Sequence, residues 1–180
     1  IVDMTPTESR GGRVNPVRAA TVIALLKLGT PEARKLLQAV IAPYIHIGPL
    51  IPPTLNPRDD KVYGFMVNKG LAGLAEDARE NEVDWFRKIA ASERADEEAR
   101  TIAYIGFFTG LMRKAKLKSD AERATFLLQG LKGNGHTISC YANPLSTGER
   151  IRTDLAIQDS ARLGLLTRLG KEAIPVLDRK

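Results

Sequence analysis

Asn15–Pro16 and Thr30–Pro31 are two helix starts, and Gly29 stands immediately before the second. Asparagine and threonine offer a side-chain oxygen to the unpaired amides of a first turn. Proline suits the first helical position because it has no N–H to leave unsatisfied. Glycine accepts the left-handed backbone that stops a helix. These signals predict a helical hairpin over residues 15–42 with a very short turn. Its first helix carries Ala20, Ile23, Ala24 and Leu28 as the expected buried stripe. Helices joined this tightly must bury apolar faces against further helices, which points the whole chain toward helix-on-helix packing.

The remaining punctuation agrees. Pro43 ends the second helix, and prolines at 49, 52, 53 and 57 keep the connection over 43–59 extended. A third helix is predicted from Asp60 to about Arg79, weakened by glycines at 64, 70 and 73. A shorter fourth follows Asn81 and partly buries Val83, Trp85, Phe86 and Ile89, and a fifth runs from about Glu93 to Lys116. On the fifth, Ala99, Ala103, Gly106 and Gly110 share a flank that lets another helix approach closely. Ser119 with Glu122 forms a capping box that opens a sixth helix through Leu131. A seventh spans Thr147 to Leu169 with Ile151, Leu155, Ala161 and Leu165 as candidate core, and an eighth begins near Lys171.

Strand-like alternation is nearly absent, so the expected fold is all-α. It is a single compact domain of about seven to eight helices, with a proline-rich extended segment. Residues 15–180 form this domain, as hairpin 15–42, connection 43–59 and helical core 60–180, and residues 1–14 form a flexible basic arm. The stretches LLKLGTPEARKLL and LLTRLGKEAIPVL resemble each other. A solenoid needs at least about three stacked copies, so two ordinary hairpins account for the likeness.

Composition narrows the function classes. With 43% apolar and 27% charged residues over 180 positions, the chain can bury a real core and is too apolar for disorder. One cysteine excludes an internal disulfide and the usual zinc frameworks. It points to the cytoplasm or another reducing compartment, including the interior of a virion. The longest nearly uncharged apolar run, Thr101 to Met112, is shorter than the roughly 20 residues that span a bilayer, so no membrane span is expected. No signal-peptide pattern is present. The chain begins with Ile1 and stops within a helical pattern, so further residues are expected beyond both ends.

GLKGNGHTISCYANP, residues 130–144, is the stretch richest in reactive side chains. Gly130, Gly135 and Thr137 align with a phosphate-binding P-loop, but His136 stands where that loop needs lysine. A helical pattern precedes it where a strand is required, and Pro144 stops any helix soon after. His136 and Cys140 are four apart and would share a helix face, the spacing of a thiolate–imidazole pair. No third partner accompanies them, and His46 lies in the proline-rich segment without a neighbouring carboxylate. Cys140, among apolar and β-favouring neighbours, reads as a buried structural thiol. Asp59 and Asp60 sit at a helix start, ERADEEAR reads as a solvated face, and Asp154 and Asp159 as surface partners of arginines. No catalytic set, cofactor or metal site is therefore expected, and an enzyme built on Cys140 and His136 stays as a remote alternative.

Basic residues are the informative asymmetry. The formal charge is +6 overall, made up of +3 over residues 1–42, −3 over 43–109 and +6 over 110–180. Arg10 and Arg13 lie in the arm; Arg113, Lys114, Lys116 and Lys118 end the fifth helix; Lys132 precedes the glycine loop. Arg150, Arg152 and Arg162 recur along the seventh helix, with Arg168 after them. Such groups neutralise phosphates along a nucleic-acid backbone. Aromatic residues make up only 6% and are not interleaved with the basic ones, which disfavours readout by base stacking. The expectation is a non-enzymatic, self-assembling protein that binds nucleic-acid backbone, RNA more than DNA, in the manner of a nucleocapsid or other viral structural protein. The alternative is a helical protein–protein interaction module working through the hairpins or YIHIGPLIPP.

Overall fold

The computed structural model describes residues 16–45, 64–92, 95–131, 147–171 and 174–177. Within them lie α1 (Pro16–Leu28), α2 (Pro31–Ile41), α3 (64–76), a 3-10 turn (Glu80–Glu82) and α4 (Val83–Ala90). These are followed by α5 (Glu97–Lys114), α6 (Asp120–Gln129), α7 (Thr147–Leu166) and a single turn, α8 (Ile174–Leu177). The protein is all-α, and no strand occurs among the described residues. The arm 1–14, Asn15 and most of the proline-rich connection lie outside them.

The hairpin forms as its local signals require. Thr30 accepts a hydrogen bond from the Ala33 amide, Pro31 opens α2, and Gly29 takes φ +58. The face that α1 buries is a correction to the expected stripe. Val22 and Leu25 point inward, whereas Ala20, Ile23, Ala24 and Leu28 are exposed, Ile23 by 43% and Leu28 by 66%. The helix is apolar on every side, so periodicity could not say which side meets the core. Contact with α3 decides it. Gly70 and Gly73 have no Cβ, and Val22, Leu26 and Ile41 fill the space one would take. The same glycines weaken α3 as a regular helix. Its expected start at Asp60 lies outside the described residues, and Met66–Leu71 winds as a π-helix before Ala72–Glu76 returns to α geometry.

The helix α5 is central and packs against α3, α4 and α7. Its small-residue flank does admit a neighbour. A Cβ on Gly106 would lie 2.5 Å from the Phe86 ring, and one on Gly110 would lie 2.7 Å from Val83 Cγ2. Phe86 and Phe108 are thereby among the largest fully buried side chains. The start of α5 moves from the expected Glu93 to Glu97, because Asp96 accepts from the Ala99 amide at 2.8 Å and caps the helix there. The predicted capping box of α6 is present: Ser119 accepts from the Glu122 amide, and Glu122 accepts from the Ser119 amide.

Two polar networks lie inside this packing. Arg34 and Glu82, 4% and 5% exposed, form a two-pronged ion pair at 2.7 and 2.6 Å. Arg34 also donates to the Leu74 carbonyl, and Glu82 accepts from Gln38 and the Arg79 amide. The pair binds α2 to the end of α3 and the 3-10 turn. Between α5 and α7, Asp154 accepts from Arg100, Tyr104 and Gln158. Asp154 and Asp159 were expected as surface partners of arginines. Asp154 is instead half-buried in this network and Asp159 is only 4% exposed. Arg100 likewise turns inward from the expected solvated face and donates to the Ala90 carbonyl.

Candidate nucleic-acid interface

The site is built on the end of α5. Arg113 and Lys114 occupy its last turn, where cations are favoured by the exposed carbonyls of the helix C-terminus. Lys116 then takes φ 54, its amide bonds the Arg113 carbonyl at 2.8 Å, and the Leu117 amide bonds the Met112 carbonyl at 3.1 Å. This is a Schellman stop with a lysine at the left-handed position that glycine ordinarily fills. A side chain there costs about 1–2 kcal/mol. Among the described non-glycine residues, Lys116 is the one with positive φ.

The stop sends Leu117 inward and leaves the lysines outward. Lys114, Lys116 and Lys118 are exposed. The Lys118 amide and the Ser119 amide both donate to the Glu122 carboxylate, and these hydrogen bonds hold its pKa below the ordinary value. Neither Lys114 nor Lys116 makes an ion pair among the described residues.

Beside this turn, α5, the start of α6 and the end of α7 enclose a cleft of about 250 Å³. Met112, Leu117, Leu165 and Leu169 make it apolar, with Thr109 on α5. Arg113, Arg123 and Arg168 also line it, together with Glu76. Arg113 pairs with Asp77 at 2.5 Å, and Arg123 pairs with Asp120 at 3.2 Å while pointing Nε at the Leu117 carbonyl. Arg168 is exposed and makes no ion pair among the described residues.

The expected contact residues thus divide. Arg113, Lys114, Lys116 and Lys118 come together at one turn. Arg162 does not join them. Its guanidinium lies 4.0 Å from the Phe108 ring centroid and 5.8 Å from that of Phe126. It donates to the Phe126 and Leu127 carbonyls at the end of α6, and burial lowers its pKa despite nearby Asp159. Gly130 makes the room, since a Cβ there would overlap the guanidinium. Arg150 and Arg152 lie on the first turns of α7, with side chains outside the described residues. Arg10, Arg13, Lys132, His46, His136 and Cys140 also lie outside them. Arg123 was missed from sequence; as the i+3 partner of Asp120 it reads as an ordinary surface pair, and only the fold, with its bond to the Leu117 carbonyl, turns it toward a cleft.

Among the described residues no group of three or more His, Cys, Asp or Glu side chains could hold a metal ion. No described helix is long and apolar enough to cross a membrane. No protein-family model, no curated protein and no solved structure matches the chain.

Proposed function

We propose that this is a non-enzymatic helical protein that binds the phosphate backbone of nucleic acid, RNA in preference to DNA, and self-assembles. A nucleocapsid or another viral structural protein, working in the cytoplasm, a virion or another reducing compartment, has this character. One observation carries the reading: Arg113, Lys114, Lys116 and Lys118 gather at a single turn next to Arg123 and Arg168, with Lys116 held in a backbone conformation that disfavours it. The left-handed stop needs only a permissive backbone, so a lysine side chain there costs stability that a binding role would offset. Arg10, Arg13, Lys132, Arg150 and Arg152 are proposed as further phosphate contacts on their charge alone.

The test is a titration of labelled single-stranded RNA over a salt series. Log affinity is expected to fall linearly with log salt, each phosphate contact adding about 0.7 to the slope for a single strand. Absence of binding at low salt overturns the reading.

A second reading, a protein–protein interaction module, is favoured by the outer side of α1. Val17, Ile23 and Leu28 are exposed there, and Leu36 on α2 is 54% exposed. Exposed apolar side chains in this number mark contact surfaces when they lie together. A co-purifying partner or a concentration-dependent mass that survives nuclease treatment, in a protein that binds no RNA, would establish this reading in place of the first.

A further inference from the structure

We propose that the cleft between α5, α6 and α7 receives one unpaired nucleotide of the bound strand, so that the protein prefers single-stranded nucleic acid to duplex. The proposal rests on the nucleic-acid reading above and adds to it the strand state and the place where a nucleotide enters. Two features of the cleft require a ligand of mixed character. Its arginines, Arg113, Arg123 and Arg168, suit a phosphate, and a guanidinium carries five N–H donors, more than Asp77 or Asp120 can occupy. Its lining of Met112, Leu117, Leu165 and Leu169 suits an apolar surface such as a base face or sugar edge. Met112 and Leu165 belong to the edge of the core, so the cleft sets an apolar wall beside its arginines.

Size and charge narrow the ligand further. A cleft of about 250 Å³ lies just below the usual small-ligand range, which begins near about 300 Å³, so it encloses no more than a base or a sugar–phosphate unit of one nucleotide. A duplex keeps its bases stacked inside and offers such a cleft only its phosphates. A single strand can splay a base outward, and guanidinium planes stack on unpaired bases where aromatic rings are missing. Glu76, the carboxylate in the lining, repels a second phosphate and can accept from a base amino group.

The experiment compares three ligands over one salt series: a single-stranded oligonucleotide, its matched duplex, and an abasic strand of equal length. Each is titrated against the wild-type chain and against Thr109→Phe, which fills the cleft from α5. The wild type is expected to bind the intact strand about tenfold more tightly than the abasic strand or the duplex. Thr109→Phe is expected to bind all three alike, with its salt slope unchanged. Failure of every ligand to bind at low salt would overturn the nucleic-acid reading and this proposal with it. Salt-dependent binding that is equal for all three ligands on the wild type would overturn the proposal alone. The wild-type comparison decides the matter even if Thr109→Phe fails to fold.

Discussion

The guanidinium of Arg162 lies over the Phe108 ring, 4.0 Å from its centroid, and closes the end of α6 by donating to the Phe126 and Leu127 carbonyls. A cation in this position works for the fold. Arg162→Lys keeps the charge but loses the flat stacking surface and the reach of Nη1 to both carbonyls from above the ring. It is expected to cost about 1–2 kcal/mol in urea unfolding, the range of a partly desolvated cation–π contact with its hydrogen bonds. RNA affinity of the folded variant should be unchanged. A folded Arg162→Gln variant, which removes the charge, should keep the wild-type salt slope, and a shallower slope there would return Arg162 to the binding surface.

Lys116 offers the opposite expectation. Replacing it with glycine relieves the left-handed backbone at φ 54 and should raise stability by about 1 kcal/mol. Under the proposed function the same change removes a phosphate contact, so the slope of log affinity against log salt should become shallower by about 0.7. Stability and binding therefore move in opposite directions. If Lys116→Gly left both unchanged, the cluster would have no binding role at this position.

Arg34 and Glu82 test the interior. Glu82→Ala leaves the buried Arg34 guanidinium with only one ionic contact among the described residues, the long one to Asp77 at 3.7 Å, and is expected to cost about 3 kcal/mol by denaturant unfolding. The double variant Arg34→Met, Glu82→Leu removes both charges and is expected to recover much of that loss. Equal losses in the single and double variants would mean that the neighbours Gln38 and Arg79, not the charge pair, dominate the cost.

Tyr104 makes a prediction at high pH. Burial, and then the Asp154 carboxylate that accepts its hydroxyl, push its phenol up to about 12 from 10.0. The folded state holds this proton more tightly than the unfolded state. The resulting stability is complete below pH 10 and is lost as pH rises from 10 toward 12, at most about 2 kcal/mol. Tyr104→Phe should flatten that portion of the stability curve, leaving only the contribution of other groups that titrate there. An unchanged curve would show that Tyr104 titrates alike in both states.

Much of the fold was legible because its signals act within one helical turn. Thr30 with Pro31, Ser119 with Glu122, and Gly29 each place a hydrogen-bonding group or a permissive backbone within three or four residues of the amides concerned. That some helix approaches Gly106 and Gly110 was legible too, since a flank without Cβ atoms admits a close neighbour; that α4 fills it was not. Of the site, the run Arg113 to Lys118 was visible as a local charge cluster at a helix end.

Everything that depends on residues far apart in the chain was closed to such a reading. Arg34 and Glu82 look like surface charges until α2 and the 3-10 turn are brought together. Arg162 looks like one more basic residue until Phe108, Phe126 and Gly130 surround it. The buried side of α1 is ambiguous in a helix that is apolar all round, and the glycines of α3 choose it. Local amino-acid order was enough to say where helices begin, end and carry charge, because those effects reach only a few residues. Which charges are buried, which apolar face is left outside and which arginines share a cleft were settled by packing alone, since each depends on partners that only the folded chain brings within contact distance.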